Sequence, residues 1–349
     1  MGELIRASIR TSRGKSFRDG ASRHHEGSDG APRPPGPLVS APVPGLFDKR
    51  LVFVTGKGGV GRSTVAAALG LVGARRGLRT IIVELAQQER VQRAFDHAGE
   101  SFREVELSPG LFTISIDPQH AMEEYLQVKA GPVGHALGAS RLFHAFAMAT
   151  PGMRELLTMG KVWELAQRQR RTRGAAPYDF VVVDAPATGH GVGILKTPRT
   201  FADIARVGPI AHQGRQIATT IADPNLTAVI AVATPEEMPV NETISLREAL
   251  EREGMKLHMV ILNALYPARF APEQTATLDG ALVKNPSPLA RAAIRAALSE
   301  HARAGTQREQ AARLAESLGA PLVKLPFVFA DHLGRGELHH LADTLAVSL

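Results

Sequence analysis

The sequence predicts an α/β protein with a doubly wound, mostly parallel sheet, and three observations carry that expectation. Short β-branched apolar runs recur from residue 51: LVFVTG (51–56), TIIVEL (80–85), LFTISI (111–116), FVVVDA (180–185), LTAVIAVA (226–233), LHMVILN (257–263) and PLVKLP (321–326). Stretches with helical spacing separate them, Ser63–Arg76 and Glu236–Glu253 being the clearest. Apolar runs without polar alternation imply strands covered on both faces, joined by right-handed crossovers. The third observation is a glycine-rich turn, GKGGVGR, between the first strand and the first helix.

Residues 1–46 precede this pattern as a basic tail rich in Pro, Gly and Ser. The tail holds too little apolar surface to offset its chain entropy, so it is expected to be disordered. Residues 1–50 carry nine Lys/Arg against five Asp/Glu, so +4 of the formal +7 charge belongs to this end. The remaining charge is modest, which argues against nucleic acid as a partner. No apolar segment follows the N-terminal arginines as a secretory signal requires, and no run of eighteen apolar residues could span a membrane. A cytoplasmic protein is expected. The absence of cysteine excludes disulfides, thiolate zinc sites and cysteine-held iron–sulfur clusters.

Residues 47–349 are expected to form one domain carrying helical insertions at about 118–177 and 200–222. Between Asp117 and Pro177 no strand candidate occurs, whereas HAMEEYLQVKA and GMRELLTMGKVWELAQRQRR have helical spacing. The basic run RQRRTR (168–173) reads as a solvated helix end. The Ala- and Arg-rich region Asn285–Gly319 reads as one or two amphipathic helices.

The turn fits the phosphate-loop pattern G-x-x-x-x-G-K-[ST] except that Arg62 replaces the lysine. Gly56, Gly58, Gly59 and Gly61 permit unusual torsions and close backbone approach. With Lys57 and Val60 they complete a loop whose N–H groups, from Gly58 to Thr64, can wrap a polyphosphate at a helix N-terminus. The Ser63 hydroxyl is placed to ligate Mg²⁺. Arg62 keeps the positive charge in a longer, forked group, so affinity is expected to survive better than turnover.

GKGGVGR resembles the deviant Walker A loop, K-G-G-x-G-K-[ST], of the ArsA-type ATPases, a family of arsenite-pump ATPases and tail-anchored-protein targeting factors. Its clan includes MinD and ParA. The resemblance implies a P-loop ATPase fold, ATP/ADP and Mg²⁺ as ligands, and a nucleotide-driven dimer in which Lys57 reaches the partner's nucleotide. YDFVVVDAPATGHGVGILKTP (178–198) is similar to the family's Walker B and switch II segment. That similarity implies Mg²⁺ held through Asp184, a γ-phosphate contact from the Gly189 N–H, and a responsive loop at Thr188–His190. ISIDPQHAMEEYL (114–126), ATPGMRELLTMGKVWEL (149–165) and ATPEEMPVNET (233–243) resemble further family segments. Asn263 matches an adenine-recognising asparagine, and Pro326 and Phe327 open a loop resembling the one that closes over the base.

The resemblance breaks at switch I. The family's S-T-D-P-A-H run, whose aspartate positions the attacking water, corresponds here to IIVELAQQERVQRAF (81–95), with Ala86 at the aspartate position. Glu84 could substitute only in another register and otherwise reads as a solvated strand-end acid. Two readings follow: a slow Mg-dependent ATPase whose helical subdomain binds a client, or a catalytically impaired regulatory subunit paired with a competent paralogue. A ParA-like DNA-associated ATPase is the third and weakest. Without cysteine, metalloid activation is discounted. An apolar protein client or membrane-protein partner would instead meet LFHAFAMATPGMRELLTM (142–159), although ordinary core packing is the preferred account of that stretch.

Overall fold

In a computed structural model, the described residues are 45–85, 89–127, 150, 152–172, 174–205, 208–284 and 286–349. The expectations for residues 1–44, for Ala86 and for Phe143, Phe146 and Met148 lie outside them.

The first strand, β1 (Leu51–Gly56), is buried at every position, so it must sit mid-sheet with both faces covered. It pairs in parallel with β5 (Phe180–Ala187) on one side and β6 (Thr227–Ala233) on the other. Outward from these lie β2 (Thr80–Glu84), β4 (Leu111–Ser115), β7 (Leu257–Leu265) and β8 (Leu322–Pro326). With β3 (Val105–Ser108) at one edge, the order is β3-β4-β2-β5-β1-β6-β7-β8. Every pairing is parallel except β3–β4. The doubly wound α/β expectation therefore holds, and each anticipated run is a strand.

The sequence pattern misses β3. It has one buried apolar residue, Leu107, and turns back at Gly110, whose φ of +77° suits glycine. An edge strand supported on one side has no need of the apolar run that marks its neighbours.

Alternate residues of β1 feed two cores, as a period of two requires. Val52 and Val54 pack with Val65 and Leu69 of α1 (Arg62–Arg75) and with Leu341 and Leu345 of α10 (Arg335–Ser348). Leu46 belongs to that core too, one residue ahead of the expected boundary at 47. Leu51 and Phe53 face the opposite core, which receives Leu156, Met159, Val162 and Leu165 from α4 (Met153–Leu165). Their spacing of three residues makes one helical stripe, so at Met159 packing accounts for the methionine.

Between these lie α2 (Arg90–Ala94) and α3 (118–127), whose first turn is capped by the Asp117 carboxylate. β5 runs directly into α5 (Thr188–Ala205), followed by α6 (Pro209–Ala222). Thr188–His190 are thus the first turn of a helix, not the expected loop. After β6 and β7 come α7 (Glu237–Arg252), α8 (Pro272–Val283) and α9 (Pro288–Leu318). The Ala/Arg region is a single helix of 31 residues, with Ser287 as its N-cap. Among the described residues no helix is long and apolar enough to cross a membrane.

The basic run departs most from expectation. The Arg170 side chain is 1% exposed, held by Glu104 at 2.6 Å and Glu164 at 2.8 Å. Lys161 joins the same network through Glu124 at 2.8 Å and Glu164 at 3.1 Å, and Tyr178 donates to Glu104 at 2.6 Å. Helical spacing cannot distinguish a solvated arginine from one whose acids arrive from β3's flank and α4. Because removing one partner of a buried pair strands the other charge, Glu164→Ala should cost about 3–5 kcal/mol in urea unfolding. Glu100→Ala, which breaks an exposed pair with Arg103, should cost less than about 1 kcal/mol.

Candidate functional site

The loop from Gly56 to Ser63 joins β1 to α1 beside the C-terminal ends of β5 and β6. Two of its glycines are required by packing. A Cβ at Gly56 would strike the Val232 carbonyl, and one at Gly61, where φ is +87°, would strike the Asn263 amide. Gly58 and Gly59 instead border open space. Val60 is buried, and its carbonyl accepts from Asn263 Nδ2 at 2.9 Å. A cavity of about 290 Å³ opens here, lined in part by Gly59, Gly61, Arg62, Ser63, Thr64 and Arg90.

Parallel register brings two acids together beside residues that line this cavity, since Glu84 on β2 lies opposite Asp184 on β5. Ser63 Oγ donates to Asp184 Oδ2 at 2.5 Å, while Asp184 Oδ1 is buried without a partner. Burial pushes the Asp184 carboxyl above its usual range, opposed by the Ser63 hydrogen bond and by Arg62 and Arg90. A hydroxyl and an uncommitted carboxylate oxygen form the hard-oxygen donor set that Mg²⁺ prefers.

Glu84 is not a solvated acid. It is 2% exposed, and its Oε1 accepts from the Arg90 N–H at 2.7 Å and the Val91 N–H at 3.2 Å. Its Oε2 has no partner among the described residues. Burial, reinforced by the Asp184 charge and opposed by those amides, raises its pKa to about 7. Arg62 donates to the Ala185 carbonyl at the end of β5, and burial holds its pKa below the ordinary arginine value.

The remaining candidates surround the loop. Lys57 pairs with Glu242 of α7 at 2.9 Å and touches the Met238 sulfur, so its charge is turned toward its own chain. Gly189 lies in the first turn of α5. Pro326 ends β8, and the Phe327 ring stacks on Tyr266 at 4.7 Å with Phe329 edge-on to both. The structure thus gathers Gly56–Thr64, Glu84 and Asp184 at one mouth, with Asn263 bonded to the loop. Lys57, Pro326 and Phe327 lie in separate contacts. Sequence reasoning missed Arg90, Glu242 and Tyr266. Arg90 and Glu242 lay inside the segments IIVELAQQERVQRAF and ATPEEMPVNET, but nothing there pointed Arg90 to the site or paired Glu242 with Lys57.

Comparison with known proteins points the same way. A family described as anion-transporting ATPase matches residues 49–208 and 203–277. The ATPase BagA of Mycobacterium tuberculosis is 31% identical over 322 residues, covering 86% of this chain and 94% of that protein. An arsenical pump-driving ATPase of Escherichia coli is 24% identical over 239 residues, covering 62% of this chain and 40% of its own length. An ATPase ASNA1 homolog of Entamoeba dispar is 26% identical over 257 residues, covering 62% and 76% respectively.

The buried acid sets a pH dependence. Between pH 4.5, the ordinary value, and about 7, the folded chain keeps a Glu84 proton that the unfolded chain has lost. Stability should therefore fall as pH rises through that window. With a chelator present, Glu84→Gln should gain about 3 kcal/mol on the parent between pH 4.5 and 8 in urea unfolding. A constant difference would contradict a buried, protonated Glu84.

Proposed function

The chain belongs to the ArsA-type, anion-transporting ATPase family, and from that premise we propose that it binds ATP with Mg²⁺ and hydrolyses it slowly. The observation that carries this reading is the 2.5 Å hydrogen bond between Ser63 and Asp184, with Asp184 Oδ1 buried and uncommitted beside the loop. Backbone N–H groups at the start of α1 bind the phosphates, as helix N-termini favour anions. Ser63 and Asp184 would hold Mg²⁺, which supplies neutralisation of phosphate charge. Arg62 leaves the Ala185 carbonyl to counter charge on the terminal phosphate. Glu84 offers its free Oε2 to a water, and a carboxyl that keeps its proton near neutrality is a poor acceptor of another.

The slow rate follows from Arg62, from Ala86 at the switch I position and from the buried state of Glu84. That last observation also supports a second reading, a regulatory subunit that holds nucleotide beside a competent paralogue. In either case we propose a cytoplasmic protein that dimerises on nucleotide and couples its switch segments to a helical client-binding region. The client is an apolar protein or membrane-protein partner, since a chain without cysteine has no thiolates for arsenite.

Calorimetry and phosphate release on the full chain test the proposal. ATP should bind with Mg²⁺, and Asp184→Asn should remove most of the Mg²⁺ dependence. Ala86→Asp should raise kcat by at least about a hundredfold, the low side of the effect of a placed acid–base group. ATP binding without phosphate release, restored by a paralogue, would select the regulatory reading, whereas no ATP binding would end both.

A further inference from the structure

A second site lies far from the phosphate loop along the chain, in the helical region. Helices α3 and α4 leave between them a cavity of about 130 Å³. Met122, Met153, Leu156 and Leu157 contribute its apolar wall. An apolar cavity of about 150 Å³ takes up benzene, so this one suits a ring or a six-carbon chain.

One stretch of the wall is polar and incompletely satisfied. Gln213 of α6 lines the cavity at 9% exposure, and its Oε1 accepts from Arg171 Nη2 at 2.9 Å. Its Nε2 is buried without a hydrogen-bond partner among the described residues. A buried amide donor left unpaired forfeits its hydration without return, so the position favours an incoming acceptor. Arg171 also lines the cavity and lies over the Trp163 ring at 5.3 Å, and it forms no ion pair among the described residues.

The other charged residues at and behind the wall are engaged with one another: Lys161 pairs with Glu124 and Glu164, and Arg170 with Glu164 and Glu104. On its far side Arg171 lines a second cleft of about 500 Å³, together with Arg50 and Arg168 and with no acidic residue. The field around Arg171 is therefore left positive on that side.

We propose that this cavity binds a small amphiphilic monocarboxylate, its apolar part between α3 and α4 and its carboxylate against Arg171 and Gln213. Both groups are donors, and a guanidinium–carboxylate contact is the strong form of such a bond. The site is independent of the ATP reading, since neither residue touches the loop.

The test is calorimetry on the full chain without nucleotide, using sodium hexanoate, hexanol and hexylammonium chloride in turn. Hexanoate should bind at least about tenfold more tightly than hexanol, and hexylammonium should not bind. Leu157→Trp, which fills the cavity from a half-buried position, should abolish hexanoate binding. Arg171→Gln should weaken it at least about tenfold, and if that variant fails to fold, Gln213→Leu answers the same question. Equal binding of hexanoate and hexanol, binding of hexylammonium, unchanged affinity in Leu157→Trp, or no binding by any probe would each overturn the proposal.

Discussion

The parallel pairing of β1 with β5, and of β5 with β2, is the constraint on which the candidate site depends. Parallel strands end at the same edge, so the loop after β1, Asp184 on β5 and Glu84 on β2 arrive together without long connections. The register places Val54 and Glu84 on either side of Asp184. That adjacency lets Ser63, the second residue of α1, reach the Asp184 carboxylate. A two-residue slip in either pairing would carry an acid about 7 Å along the strand, beyond any shared hydrogen bond.

The same adjacency makes the site electrically unsettled. Two mostly buried carboxyls on neighbouring strands compete for a proton or share a cation. The chain supplies partial answers: two amides for Glu84, one hydroxyl for Asp184, and Arg62 and Arg90 nearby. Each acid nevertheless keeps one oxygen without a partner. Interior groups are rarely left so, because an unpaired buried oxygen forfeits its hydration for nothing. Elsewhere the same fold closes its charge network, as Arg170 does with Glu104 and Glu164. Incomplete pairing of these two acids contrasts with the closed ion pairs of Arg170 and Lys161, and this contrast is the physical mark of a place prepared for another ion.

Much of this was legible in the residues. Strands buried on both faces advertise themselves as continuous apolar runs, so β1, β2 and β4 through β8 could be read directly, and the glycine spacing announced the loop. What could not be read depended on partners distant in sequence. Arg170 and its neighbours look like any basic helix end until Glu104 and Glu164 are brought beside them. Glu84 looks like a strand-end acid until the turn into α2 covers it with amides from Arg90 and Val91. β3 was invisible because an edge strand needs few apolar residues. Thr188–His190 were expected as a loop from the similarity of their segment to the family's switch II, whereas β5 passes directly into α5 there despite the low helix propensity of glycine and histidine.

The loop's cationic and amide side chains are all engaged within the chain. Arg62 holds the Ala185 carbonyl, Lys57 holds Glu242, and Asn263 holds the Val60 carbonyl. These partners belong to β5, α7 and the loop itself, and Asn263 extends from β7. A polyphosphate entering the loop would compete for Arg62 and Lys57 at once. Releasing them would free the end of β5, which runs straight into α5, and the first turns of α7. Both helices pack on the core that also receives α4. Ligand affinity would then be measured against two intramolecular contacts, and the difference would appear as displacement of the helices that border the helical region. Coupling of that kind needs no dedicated relay, only a competition for the same charged groups between the chain and its ligand.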